Sequence, residues 1–195
     1  MKFLIGFLVT IGLLIVVFIL IFRGAANNDN KAAEQIKLVD YATTSTVVEM
    51  TQMGPVQADQ TFNSVRVTVS NQETAFEAFT GYNGNTIRSQ TFANNSTAYA
   101  DFLRALDLAG YQKGNNSKNL QDYRGACATG TRYIFRIKDN GETKQEFWSS
   151  SCKGMGNFQG TTNAVVRLFH AQVPGYNALA RNLNLATVTD RSATE

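Results

Sequence analysis

Residues 3–22, FLIGFLVTIGLLIVVFILIF, run for 20 positions without a charge or a proline, and this constrains the chain more than any other stretch. A helix rises about 1.5 Å per residue, so such a run reaches across the roughly 30 Å hydrocarbon core of a bilayer. In lipid each peptide group must be hydrogen-bonded within its own segment, which makes a helix the conformation. A cleavable signal sequence is the competing reading, favoured by the small residues Gly24, Ala25 and Ala26. Its apolar region is ordinarily about 7–15 residues, however, and Arg23 crowds the would-be cut. The length predicts a retained single-pass anchor. Lys2 lies before it and Arg23, Lys31 and Lys37 after it, so flanking charge hardly orients it. The short N-terminus and the two cysteines predict a cytoplasmic N-terminus with the remaining chain outside.

The net charge of +3 comes from 18 basic and 15 acidic residues, and Lys2 and Arg23 account for two of the basic ones. Beyond the anchor the balance is therefore close to neutral. Nucleic-acid binding needs a clustered basic surface, and this sequence has none.

Residues 23–44 read as a polar tether with a thin helical stripe over 32–41, and residues 184–195 as a loose tail. The interval 45–183 is an ordinary size for one domain with its own core. Strands are predicted over 45–51, 62–70, 73–82 and 86–92. In the second, Val65, Val67 and Val69 alternate with Arg66, Thr68 and Ser70, which gives one buried face and one wet face. Ser70 and Glu73 have capping-box spacing, so a short helix over 73–82 is the rival reading there. Asn83-Gly84-Asn85 signals a hairpin turn, because Asn-Gly tolerates positive φ. Tyr99, Phe102, Leu103 and Leu106 recur at helical spacing after cap candidates Asn95 and Ser96, and Gly110 follows as a stop. A second hairpin spans 131–138 and 142–150 around Asp139-Asn140-Gly141. If Lys138 opposes Glu142 there, Tyr133 meets Phe147 and Arg132 lies opposite Trp148 as a cation–π pair; a two-residue turn would undo this register. A last helix is predicted over 161–173, ended by Pro174 and Gly175, with a further turn or two after it. The order ββββ-α-ββ-α predicts an α+β domain with a mainly antiparallel sheet and two or three packed helices.

Counting outward from Asn140, Cys127 lies 13 residues away and Cys152 12, so a hairpin brings them nearly opposite. Outside the cell this predicts a disulfide, worth about 3.5 kcal/mol from the entropy of closing a loop of roughly 25 residues. A catalytic thiol is the alternative, since Cys127, His170 and a later asparagine follow the order of some cysteine peptidases. The stretch RGACATG lacks a nucleophile signature and His170 falls in a predicted helix, so the disulfide is favoured. Gly154, Gly156 and Gly160 follow a strand and precede a helix, as backbone anion cradles do. Their GxGxxxG spacing matches neither the dinucleotide fingerprint nor a P-loop, and a sharp turn after the disulfide explains them as well. Tyr82 at a hairpin tip, Arg132 and Trp148 complete the candidate ligand-binding residues. One histidine and two cysteines cannot close an ordinary zinc site. No GxSxG or HExxH motif is present, and no cofactor is implied.

TGYNGN at the hairpin tip, AYADFLRALDLAG, and the closing pattern WSSSC…G…F…G together resemble single-pass proteins of reduced-genome bacteria such as Saccharibacteria, over about residues 60–180. That family supplies no activity to carry over. A type IV pilin would share the anchor and the disulfide but ordinarily has a glutamate early in the apolar helix, which this chain lacks. The sequence thus predicts a membrane-anchored, extracytoplasmic binding or assembly protein of the cell envelope, non-enzymatic, with a protein or glycan partner. The alternatives are an envelope enzyme acting on peptide or glycan through His170 or through carboxylates that the fold brings together, and an anion or glycan sensor at Gly154–Gly160.

Overall fold

The structure, a computed structural model, describes residues 37–185. The predicted anchor over 3–22, most of the tether and residues 186–195 lie outside the described residues. Among the described residues no helix is long and apolar enough to cross a membrane.

Four strands, Val47–Met53 (β1), Asn63–Val69 (β2), Glu73–Thr80 (β3) and Asn85–Ala93 (β4), precede the helix Ser96–Leu108 (α1). Arg132–Asp139 (β5) and Glu142–Ser150 (β6) follow, then the helices Thr162–Ala171 (α2) and Tyr176–Leu179 (α3). The strands form one antiparallel sheet in the order β4-β3-β2-β1-β5-β6, so the domain is α+β. β1 and β2 lie at its centre. β4, at one edge, is exposed along nearly its whole length.

Alternation decides which face carries the core. Val48 and Met50, the three β2 valines, Phe76 and Ala78, and Tyr133, Phe135 and Ile137 all point to one side and are buried there. The helices cover that side. α1 begins where the Asn95 Oδ1 accepts the Ala98 N–H at 2.9 Å, and it ends at Gly110, whose φ of +77° suits glycine. Its stripe of Tyr99, Phe102, Leu103 and Leu106 is fully sequestered, and Phe102 meets Phe169 of α2 edge-on at 5.2 Å. Residues 73–80 are strand rather than helix. The Ser70 hydroxyl accepts from Gln72 and Glu73 N–H groups in a tight turn, which uses up the capping-box spacing.

Two expectations are corrected. The residues assigned to the end of the tether form a 3₁₀ turn, Leu38–Thr43, and Leu38 and Ala42 enter the core against α1. The second hairpin also has a different register. Asn140 and Gly141, with φ of 49° and 81°, make a two-residue turn that pairs Asp139 with Glu142, and a bulge between Ile137 and Lys138 shifts the pairing by one more. Lys138 therefore faces Thr143, Tyr133 faces Ser149, Phe147 pairs with Phe135 and Trp148 with Ile134. The expected Arg132–Trp148 stack is not made, because Arg132 stands opposite Ser150.

Candidate binding face

The face of the sheet away from the helices carries Glu49 and Thr51 of β1, Arg66 of β2, Glu77 and Phe79 of β3, Arg132, Ile134, Arg136 and Lys138 of β5, and Glu146 and Trp148 of β6. Its cover consists of loops. One leads from β1 to β2 and the other from α1 to β5, and they meet where the Val56 N–H donates to Ala128 O at 2.7 Å. The second loop drapes over Trp148, whose indole N–H donates to Leu120 O at 2.6 Å, with the Tyr123 ring 6.4 Å from the indole. Ile134 and Trp148 are buried beneath it.

The disulfide holds this loop. Cys127 and Cys152 are joined, their Cα atoms 5.6 Å apart, at the base of the β5–β6 hairpin. The bridge excludes the thiol-nucleophile alternative, since both sulfurs are consumed. Gly130 lies so close that an added Cβ would come within 2.3 Å of Ser151 Oγ and 2.5 Å of the Cys127 sulfur.

Beyond the loops the face is a charge network. Glu49, buried in the middle of the sheet, receives Arg136 Nη1 at 2.9 Å and Lys138 Nζ at 2.6 Å, with Arg66 Nε at 3.8 Å. Arg136 also binds Glu146, and Arg66 approaches Glu77 at 3.6 Å while its guanidinium lies 4.9 Å over the Phe79 ring. Burial alone would raise the pKa of Glu49. The bonds from Lys138 and Arg136 overcome that and hold it below the ordinary carboxylate value. Three cations and three carboxylates balance in this group.

Arg132 stands apart from that balance. It is 3% exposed, one Nη2 bond of 2.9 Å goes to Gly54 O, and its Nε has no partner. Burial pushes its pKa down, with weaker opposing influences from Tyr82 and Tyr123, and no carboxylate among the described residues pairs with it. Two further buried polar atoms on the same face lack hydrogen-bond partners, Thr51 Oγ1 and Arg66 Nε. Thr51 is the direct cross-strand partner of Arg66, and Arg132 pairs with Met53, two residues along β1 from Thr51.

The expected ligand residues thus divide. Arg132 and Trp148 come to this face, and Tyr82 lies at its margin. Tyr82 sits in the β3–β4 turn as expected and is 52% exposed; its ring stacks on Phe62 at 4.3 Å and its hydroxyl donates to Gln57 O at 2.9 Å. The glycines do not join them. Asn157 and Phe158 N–H donate to Trp148 O at 3.0 and 2.9 Å, and Gln159 N–H to Lys113 O at 2.9 Å, so those donors face protein carbonyls. An added Cβ on Gly160 would lie 2.5 Å from Gly110 O, and one on Gly156 2.7 Å from Trp148 O. The loop is close-packed at Gly156 and Gly160, while Gly154 is open and helps line a cavity of about 400 Å³ with Ser151, Lys153 and Met155. Glu49, Thr51 and Arg66 were missed in sequence. The one hint is a lone glutamate between the apolar residues of VVEM, a charge with no wet face to occupy.

His170 belongs to the other side of the sheet. Its ring stacks on Tyr176 at 3.7 Å, its Nε2 is buried without a partner, and burial lowers its pKa to about 4. It lines a cavity of about 500 Å³ with Gln52, Arg167, Tyr176 and Arg181, and the described lining holds no acid or thiol. A neutral imidazole without an orienting carboxylate is a poor start for acid–base chemistry. Among the described residues no group of His, Cys, Asp and Glu could hold a metal ion. No protein-family model matches the chain, and no curated protein matches it.

Proposed function

We propose that this protein is a membrane-anchored, extracytoplasmic binding or assembly protein of the cell envelope, and that it binds through the sheet face away from its helices. The apolar run over 3–22, long enough to span a bilayer, supports the anchor, and the Cys127–Cys152 disulfide supports an oxidising exterior for the domain. The observation that carries the reading is the charged, loop-walled face itself. One side of the sheet is packed against helices, while the other carries a partly exposed ionic network beside loops tied by a disulfide. Loops fixed on a rigid scaffold are the usual carriers of recognition. The partner is a protein or glycan of the envelope, in keeping with the resemblance to single-pass bacterial proteins.

The test compares retention of the full chain by isolated envelope fractions with the anchor solubilised in detergent. Arg66→Glu reverses charge on the proposed face and Arg104→Glu reverses it on the exposed side of α1. Loss of retention for the first alone supports the reading. Equal retention for both overturns it.

A further inference from the structure

We propose that the patch formed by Arg132 and Thr51 is a binding site for a carboxylate-bearing ligand. The inference rests on the binding-face reading above and names the chemistry that face recognises. A buried, unpaired charge is costly, and buried charges in folded proteins are ordinarily paired or hydrogen-bonded. Arg132 has a single bond to Gly54 O and an idle Nε. Thr51 on the same face is also under-used, because its Oγ1 is buried without a hydrogen-bond partner. Thr51 pairs with Ile134 and Arg132 stands two residues along β5, a diagonal neighbour at roughly 7–8 Å, within reach of a long side chain. Two idle polar atoms, Arg132 Nε and Thr51 Oγ1, therefore share one stretch of this face.

The charge balance selects the anion. Arg66, Arg136 and Lys138 are matched by Glu49, Glu77 and Glu146, so Arg132 leaves one positive charge uncompensated. A monoanion cancels it. A phosphate dianion would add surplus negative charge near Glu49. The guanidinium fork suits the two oxygens of a carboxylate, and the Thr51 hydroxyl supplies a further donor. The cover over this patch is loop, tied by the 2.7 Å bond from Val56 N–H to Ala128 O rather than by a packed helix.

The full chain in detergent micelles is titrated with acetate against chloride at constant ionic strength, reading melting temperature and the fluorescence of Trp148, the chain's single tryptophan. A short peptide with a free C-terminus and its C-terminal amide form two further arms. Saturable stabilisation by acetate beyond chloride is expected. A tighter response to the free peptide, with none to the amide, assigns the carboxylate to a chain end; equal or weaker binding of the peptide assigns it to a small molecule. Arg132→Met is expected to abolish the response while melting no lower than wild type in chloride, because it removes an unpaired charge. Thr51→Val keeps the shape and should weaken acetate binding about tenfold, which decides the matter if Arg132→Met does not fold. No difference between acetate and chloride in the wild type, or an unchanged response in Thr51→Val, overturns the site. Envelope retention that depends on Arg66 without any carboxylate response removes this ligand class and leaves the binding face standing. Saturable carboxylate binding with retention indifferent to Arg66→Glu does the reverse.

Discussion

Glu49 occupies the centre of a six-stranded sheet, where a carboxylate survives only because Arg136, Lys138 and Arg66 surround it. Removing one partner of a buried ionic group leaves the others uncompensated. Glu49→Ala is therefore expected to cost about 3–5 kcal/mol in urea unfolding. Glu146→Gln, at the solvent margin of the same network, should cost about 1 kcal/mol or less. His170 gives a pH signature on the opposite side of the sheet. Burial lowers its pKa from 6.5 to about 4, so between those values the unfolded chain binds a proton that the folded chain refuses. Stability falls as pH drops through that window, by about 2 kcal/mol once the partial exposure of the ring is discounted. Glu49 has a lowered folded pKa, so its contribution is present above the ordinary carboxylate range and is lost as pH falls below it. In stability–pH curves His170→Phe should flatten the upper window and leave the lower decline in place. An unchanged upper window would show that His170 is not the group titrating.

At the scale of elements, the segment between Ser150 and α2 distinguishes two uses of glycine. Gly160 is packed against Gly110 O and the Phe158 ring, both 2.5 Å from an added Cβ, so Gly160→Ala should cost about 2 kcal/mol by overpacking. Gly154 has open space but a φ of +75°, so Gly154→Ala should cost only about 1 kcal/mol of backbone strain. Chemical denaturation of the two variants checks the order. The sequence disclosed the elements well where periodicity is strong: the β2 valines and the α1 stripe point inward as expected. It also disclosed the disulfide, because a hairpin brings symmetric positions together whatever its fine register. It did not disclose that register, since a bulge between Ile137 and Lys138 leaves no mark on alternation. The site was legible only in fragments. Arg132 and Trp148 were conspicuous as residues, whereas Glu49 meets Arg66 and Lys138 through strand pairings that link distant stretches of chain.

For the whole molecule, the sheet separates a helix-covered side from an open, loop-walled one, and the disulfide maintains the loops of the latter. Reducing Cys127–Cys152 should lower stability by about 3.5 kcal/mol and free the loop over Trp148, changing its fluorescence before global unfolding. Stability and emission unchanged by reduction would show that the loop holds itself. The helix side offers a built-in control, since Leu108 at the end of α1 is 91% exposed. Hydroxyl-radical footprinting of the full chain, free and bound to its envelope fraction, can therefore compare the two sides in one experiment. Binding through the open face predicts protection of Tyr82, Leu120 and Tyr123 with Leu108 unchanged. Protection of Leu108 with those three left reactive would contradict it.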